Sequence, residues 1–309
     1  MIWIKIFVLP LALLGDRVIG DPRSAFHPVA LLGRFIGWWG RPGLIPDSLQ
    51  WVVGIAMWMF TVLLFALPFF LIEWLSPWYI FIILAPFMLN FCFAWRSLEE
   101  HAMEVSASVK NGLIEGRARA AMLVSRNCAD LDGEELLSAA YESVSENLVD
   151  SIISPLFYYG IFGLSGAAIY RAANTLDAML GYRDERSRLG WFSARMDDIF
   201  NFIPARITGG LLLVYFAWKG QFHQAYKTLK EDGRKRPGIN GGIPMAIMAG
   251  GCGVKFEKRG VYSIGPGVKR LEDGEGDIIA AVRAVTLIFS ILMVVTLLLW
   301  GYVANFIDI

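Results

Sequence analysis

Residues 51–72 read WVVGIAMWMFTVLLFALPFFLI, without one charged side chain. Residues 74–95, WLSPWYIFIILAPFMLNFCFAW, and residues 284–307, AVTLIFSILMVVTLLLWGYVANFI, are also uncharged. Each exceeds the roughly 20 apolar residues an α-helix needs to cross a bilayer core, whereas a buried helix of a soluble domain accounts for about 10–14. Trp51, Trp74, Trp78, Trp95 and Trp300 fall near the run ends, where interfacial anchors belong. These three runs are read as membrane spans.

The rest of the chain agrees. Of 309 residues, 56% are hydrophobic and 18% charged, and mean hydropathy is +0.50. A soluble domain carries roughly 25% charged residues. Lys plus Arg and Asp plus Glu are both 28, so the net charge is zero and nothing points to nucleic acid. Cys92, Cys128 and Cys252 are far apart, without metal-ligand spacing, and read as buried small hydrophobes.

Residues 1–14 lack a cleavage signature and are expected to form a short retained first span. Residues 151–170 and 203–218 are apolar but interrupted by Pro and Gly, and the second holds Arg206. They are read as broken or re-entrant helices lining a cavity. The expected fold is therefore all-α: a polytopic membrane protein with helical cytoplasmic segments, forming one membrane-embedded catalytic domain over 1–309. Lys and Arg concentrate in 15–50, 96–150 and above all 219–283, which places those segments in the cytoplasm and the 73–78 turn outside. The sidedness of 171–202 stays open.

Five polar constellations border the apolar runs. In the first, Asp132 and Glu135 form a capping box that opens a helix near 133. At 100° per residue Glu135, Glu142, Glu146 and Asp150 share one stripe. Like charges four apart repel by roughly 0.2–0.5 kcal/mol per pair. The stripe is thus either a solvated face or a cluster neutralised by a divalent cation or by arginines. The second is Tyr170-Arg171-Ala172-Ala173-Asn174-Thr175-Leu176-Asp177, with Arg171, Asn174 and Asp177 on one face; a plain helix end would look similar.

The third runs from Arg195 through Asp197, Asp198 and Asn201 to Arg206. Its oxygens suit a metal and its arginines suit phosphate, although an ion-pair knot has the same composition. The fourth, Asp16, Gly20-Asp21-Pro22 and His27-Pro28-Val29, is rich in turn formers. The fifth, Arg236-Pro237-Gly238-Ile239-Asn240-Gly241-Gly242, is a basic glycine-rich loop able to cradle an anion. No GxxxxGK[ST] loop, HExxH, GxSxG or GxGxxG occurs.

In combination and order these stretches resemble the CobD/CbiB family of cobalamin biosynthesis, the adenosylcobinamide-phosphate synthases. The resemblance is carried by Asp16…Gly20-Asp21-Pro22…His27-Pro28-Val29, Ser97-Leu98…His101, Arg126…Leu131-Asp132 and Glu142-Ser143…Glu146-Asn147…Asp150. It continues through Tyr170-Arg171…Asn174-Thr175-Leu176-Asp177-Ala178-Met179 with Gly181-Tyr182, and Ala194-Arg195…Asp197-Asp198…Asn201…Pro204-Ala205-Arg206. It covers about residues 10–265, and is most specific from 142 to 206. Where many members have a Ser-Pro-Asn-Ala-Gly-like stretch, this chain has residues 236–242, with Asn240 and Gly241 in place of the family Asn and Gly.

The resemblance implies an amide ligase that joins adenosylcobyric acid to (R)-1-amino-2-propanol or its O-phosphate, with ATP and Mg²⁺. It implies catalytic roles for Glu142, Glu146, Asp150, Asp177, Arg195 and Asp198. Substrate contacts would come from Asp21, His27, Arg171, Asn174, Asn201, Arg206 and Asn240, and metal ligands from Glu142, Glu146, Asp197 and Asp198. The implied place is the cell membrane, with the site on the cytoplasmic side. The expected partners are the corrinoid, the amine donor and the lipid bilayer, with a homo-oligomer or other cobalamin-assembly enzymes left open. The competing reading is a transporter for a corrinoid or another anionic small molecule. A scaffold for soluble assembly enzymes ranks behind both.

Overall fold

The computed structural model describes residues 2–20, 26–124 and 126–307. The all-α expectation holds: helices run from one end of the described chain to the other, joined by one small hairpin. Four stretches are long and apolar enough to cross a membrane: Gln50–Leu75, Trp78–Asn111, Gly133–Leu180 and Leu271–Val303. A fifth is counted if Trp191–Phe200 and Phe202–Trp218, which break at Asn201, form one span. By length and composition the chain is a multi-pass membrane protein.

The described residues group into two compact units. The first comprises residues 1–94, 154–201 and 290–309. It holds α1 (Ile2–Val18), α2 (Pro28–Trp39), α3 (Gln50–Leu75) and α4 (Trp78–Asn90). The helix expected at 1–14 is present as the 17-residue α1, which reaches past Gly15 to include Asp16 and Arg17 and is not among the four long spans. The second expected span, 74–95, starts later, at Trp78. Pro77 holds Ser76 extended (φ −76°, ψ 134°) and separates α3 from α4.

The same unit contains the run expected to be broken. A π-helix at Leu148–Ile153 leads into it, and residues 154–180 (Ser154–Leu180) are helical on both sides of Gly163, whose φ of 72° and ψ of −156° leave the helical region. Only glycine adopts that conformation without strain. A Cβ there would also collide with the Glu73 carboxylate. Glu73 Oε2 accepts from the Ser165 backbone N–H (3.3 Å) and Oγ (3.2 Å), capping the turn that restarts after the break. Its other oxygen pairs with Lys5 at 2.5 Å, so the charge placed in an apolar region is neutralised. Leu32, Ile36, Trp58, Val62, Leu176 and Leu180 form the core of this unit.

The second unit comprises residues 95–153 and 202–289. It contains α5 (Trp95–Asn111), α6 (Leu113–Leu123), α7 (Gly133–Asn147) and, after α8 (Ser154–Leu180) and α9 (Trp191–Phe200) of the first unit, α10 (Phe202–Trp218). It continues with α11 (Phe222–Asp232), α12 (Gly242–Cys252), strands β1 (Phe256–Lys258) and β2 (Tyr262–Ile264), and the first half of α13 (Leu271–Ile307). The last span, expected at 284–307, is thus the second half of a helix that begins at Leu271, because no Pro or cap interrupts the polar lead-in. Helix α12 is apolar and almost wholly buried. The hairpin pairs Phe256 with Ile264 and Lys258 with Tyr262, and β1 packs on α7.

Candidate functional site

Helix α7 opens on the expected capping box. Asp132 Oδ1 accepts from the Glu135 N–H and Glu135 Oε2 from the Asp132 N–H, both at 2.9 Å. Glu135 also pairs with Arg259, so this first member of the acidic stripe is structural. Two turns on, the stripe becomes a pocket.

Glu142 is 3% exposed and fully engaged. Its Oε1 accepts from Ser138 Oγ at 2.6 Å, and its Oε2 from Arg126 Nη2 and Tyr262 Oη, both at 2.5 Å. One turn further, Glu146 Oε1 pairs with Arg236 Nη2. Charged groups leave water only when paired and hydrogen-bonded, and here each carboxylate has its own arginine. Of the two ways to neutralise the stripe, arginines are the one observed. Lys258, Ser143, Val261 and Pro237 complete the walls of a cavity of about 320 Å³. Three cations thus face two carboxylates, a net positive cleft. Glu146 Oε2 has no hydrogen-bond partner among the described residues.

The charges shape one another. Burial works against the Arg236 cation, but the adjoining Glu146 carboxylate outweighs it, so the guanidinium pKa rises above its ordinary value. Burial and the Glu142 carboxylate push the Tyr262 phenol up as well, so that it remains an O–H donor.

Asp150 lies where the helix changes type. It sits in the π-helix at Leu148–Ile153, where i→i+5 bonding adds a residue per turn and the 100° projection no longer applies. Its charge still reaches Arg236. Arg206 and Asn240 meet directly, Nη1 donating to Oδ1 at 2.9 Å, while Arg206 also donates to the Phe202 and Ile239 carbonyls and lies 3.5 Å over the Phe202 ring. This fastens α10 to the loop that carries Arg236.

In the first unit Asn174, Asp197 and Asn201 come together. Asp197 accepts from Asn174 Nδ2 (3.1 Å) and Asn201 Nδ2 (3.0 Å), and Asn201 Oδ1 accepts from Ser154 Oγ (2.6 Å) and Tyr170 Oη (2.8 Å). Asn201 is 1% exposed and its amide is satisfied, so this knot clamps α8 to α9. Arg195 and Asp198 are more open, 3.9 Å apart on a cavity of about 240 Å³ with Arg183, Trp191 and Tyr182. Arg171 lies within α8, its carbonyl taken by Thr175 Oγ1, and the Asp177 carbonyl accepts from the Gly181 N–H. His27 Nδ1 accepts from the Val29 N–H at the start of α2, as turn chemistry requires. Asp21 lies outside the described residues.

Sequence reading did not place Arg126, Ser138, Lys258 or Tyr262 in the site. Arg126 stood in the quoted motif without a role, and Tyr262 belongs to a hairpin whose Phe-Glu-Lys and Tyr-Ser-Ile alternation was the available signal.

These features define a polytopic helical membrane protein in which α7, the 236–242 loop and the hairpin build an arginine–carboxylate pocket. Residues 9–301 match the model of the CobD/Cbib protein family, and the chain belongs to that family. It is 41% identical over 299 residues to a probable cobalamin biosynthesis protein CobD of Thermococcus kodakarensis, covering 94% of this chain and 95% of that one. It is 39% identical over 267 residues to a probable cobalamin biosynthesis protein CobD of Methanothermobacter thermautotrophicus (84% and 87% covered). With the cobalamin biosynthesis protein CobD of Dehalococcoides mccartyi the identity is 37% over 273 residues (86% and 88% covered). No solved structure matches the chain.

Proposed function

We propose that the chain is an amide ligase of cobalamin biosynthesis. It would join a carboxylate of adenosylcobyric acid to the amine of (R)-1-amino-2-propanol or its O-phosphate at the expense of ATP. Family membership supports the role in cobalamin biosynthesis. The observation that carries the chemistry is the pocket of Arg126, Arg236 and Lys258 around Glu142 and Glu146.

In this reading the three cations receive phosphate oxygens. The corrinoid carboxylate takes the γ-phosphoryl group, giving an acyl phosphate and ADP. The amine nitrogen then bonds to the acyl carbon, the C–O bond to phosphate breaks, and phosphate leaves. The amine must lose protons for that attack. Glu146, which lines the cavity and keeps Oε2 without a hydrogen-bond partner among the described residues, is the acceptor. Glu142, with both oxygens occupied, holds Arg126 and Tyr262 in place instead.

The same saturation bears on magnesium. No three His, Cys, Asp or Glu side chains are grouped as metal ligands among the described residues. Within this pocket Glu142 has no oxygen to give, and Glu146, paired to Arg236 through Oε1, leaves a single oxygen, too few to hold an ion. The donor set does not fit a resident ion held by protein oxygens, and no step is assigned to one; magnesium would enter with the nucleotide phosphates.

The test uses the purified protein in detergent with adenosylcobyric acid, aminopropanol or its phosphate, and Mg-ATP. The expected result is a corrinoid heavier by the amine donor less one water, with ATP consumed in equal amount. An unchanged corrinoid under these conditions, together with corrinoid accumulation in proteoliposomes, would instead make the chain a transporter.

A further inference from the structure

The second unit contains another cavity, of about 620 Å³, which shares no lining residue with the arginine–carboxylate pocket. Its polar floor is Glu275 on α13. That carboxylate accepts from Tyr141 Oη at 3.0 Å, from Lys110 Nζ at 3.3 Å and from Ser106 Oγ. The floor is satisfied within the protein and needs no ligand. The rim is different.

Two boundaries of polarity meet at this cavity. The apolar helix α10 ends at Trp218 and is followed by Lys219, and on α13 Arg283 is the last charge before the uncharged run 284–307. A Trp–Lys pair ending one apolar helix and an Arg just before the uncharged half of another are the residues found at the level of lipid headgroups. Between them the walls are apolar, with Met103, Ile279 and Leu287.

Both rim cations keep donors in reserve. Arg283 spends Nε and Nη2 on Glu99 Oε2, at 3.0 and 2.8 Å, and its Nη1 has no partner among the described residues. Lys219 Nζ lies 5.5 Å from the Trp218 ring centroid and makes no ion pair among the described residues. Apolar walls in the same cavity as two available cations suit an amphiphile with an anionic head.

We propose that this cavity holds one anionic phospholipid, its phosphate on Arg283 Nη1 and Lys219 Nζ and an acyl chain along Ile279 and Leu287. The proposal is independent of the amide-forming reaction. The test is native mass spectrometry of delipidated protein titrated with phosphatidylglycerol, phosphatidylcholine and inorganic phosphate. Phosphatidylglycerol is expected to bind at least tenfold more tightly than phosphatidylcholine. The preference should fall at least fivefold in Lys219→Glu, and likewise in Arg283→Lys, which keeps the ion pair to Glu99. Equal retention of the two lipids by the wild-type protein overturns the proposal, as does an unchanged preference in both variants. Displacement of bound phosphatidylglycerol by equimolar inorganic phosphate would make it a phosphate site and also overturn it.

Discussion

Replacing Glu146 by glutamine is expected to cut amide formation by a factor of about 10²–10⁴, the range that removal of a positioned general base produces. Glutamine keeps the size of the side chain and an oxygen that can still accept from Arg236, so the pocket should persist. What disappears is the carboxylate oxygen that has no hydrogen-bond partner among the described residues. ATP binding, carried by Arg126, Arg236 and Lys258 in this account, should stay within a few-fold of wild type. The residual rate should climb with pH more steeply than the wild-type rate, because the variant depends on solution for free amine, whereas a merely structural Glu146 would leave the two profiles parallel. Turnover within threefold of wild type would remove Glu146 from the mechanism.

Glu142→Ala should act through stability first. Glu142 and Arg126 have side chains 4% and 14% exposed, and Ser138 and Tyr262 donate to the same carboxylate. Removing one partner of a buried pair leaves the other charge uncompensated, at about 3–5 kcal/mol. A large drop in thermal midpoint in detergent is therefore expected, with loss of activity. The double variant Arg126→Ala/Glu142→Ala should be more stable than the sum of the single changes allows, by about 0.5–3 kcal/mol, because the unpaired charge is gone. Strict additivity would mean that the two do not act as a pair.

Much of this architecture is legible in one dimension. Uncharged length sets the spans, since nothing but lipid accommodates residues 51–72. The capping box at Asp132 and Glu135 is a local pattern, and the structure forms it at the expected position. Helical period likewise places Glu142 and Glu146 on one face, and the break expected within 151–170 falls at Gly163. Local patterns fail where the partner is distant. Tyr262 reaches Glu142 across 120 positions, and Arg236 reaches Glu146 across 90. Neither pairing has a sequence signal of its own. The π-helix at 148–153, which holds Asp150, is similarly silent. Among the motifs that resemblance singled out, Asn174, Asp197 and Asn201 form a satisfied clamp. Their side-chain chemistry suits a ligand and a structural knot equally; the structure shows the hydrogen bonds of the knot, with Asn201 buried at its centre.

The central claim is that substrates occupy the cavity between α7, the Arg236 loop and the hairpin. Ser143 lies on its wall between the two glutamates, and the native Cys92, Cys128 and Cys252 are buried. The most direct measurement is the rate at which a Ser143→Cys protein reacts with a small maleimide, against the wild-type background. Saturating Mg-ATP with aminopropanol phosphate is expected to slow that reaction at least tenfold. Labelling that proceeds at the same rate with both substrates present, in protein that still turns over, would contradict the account.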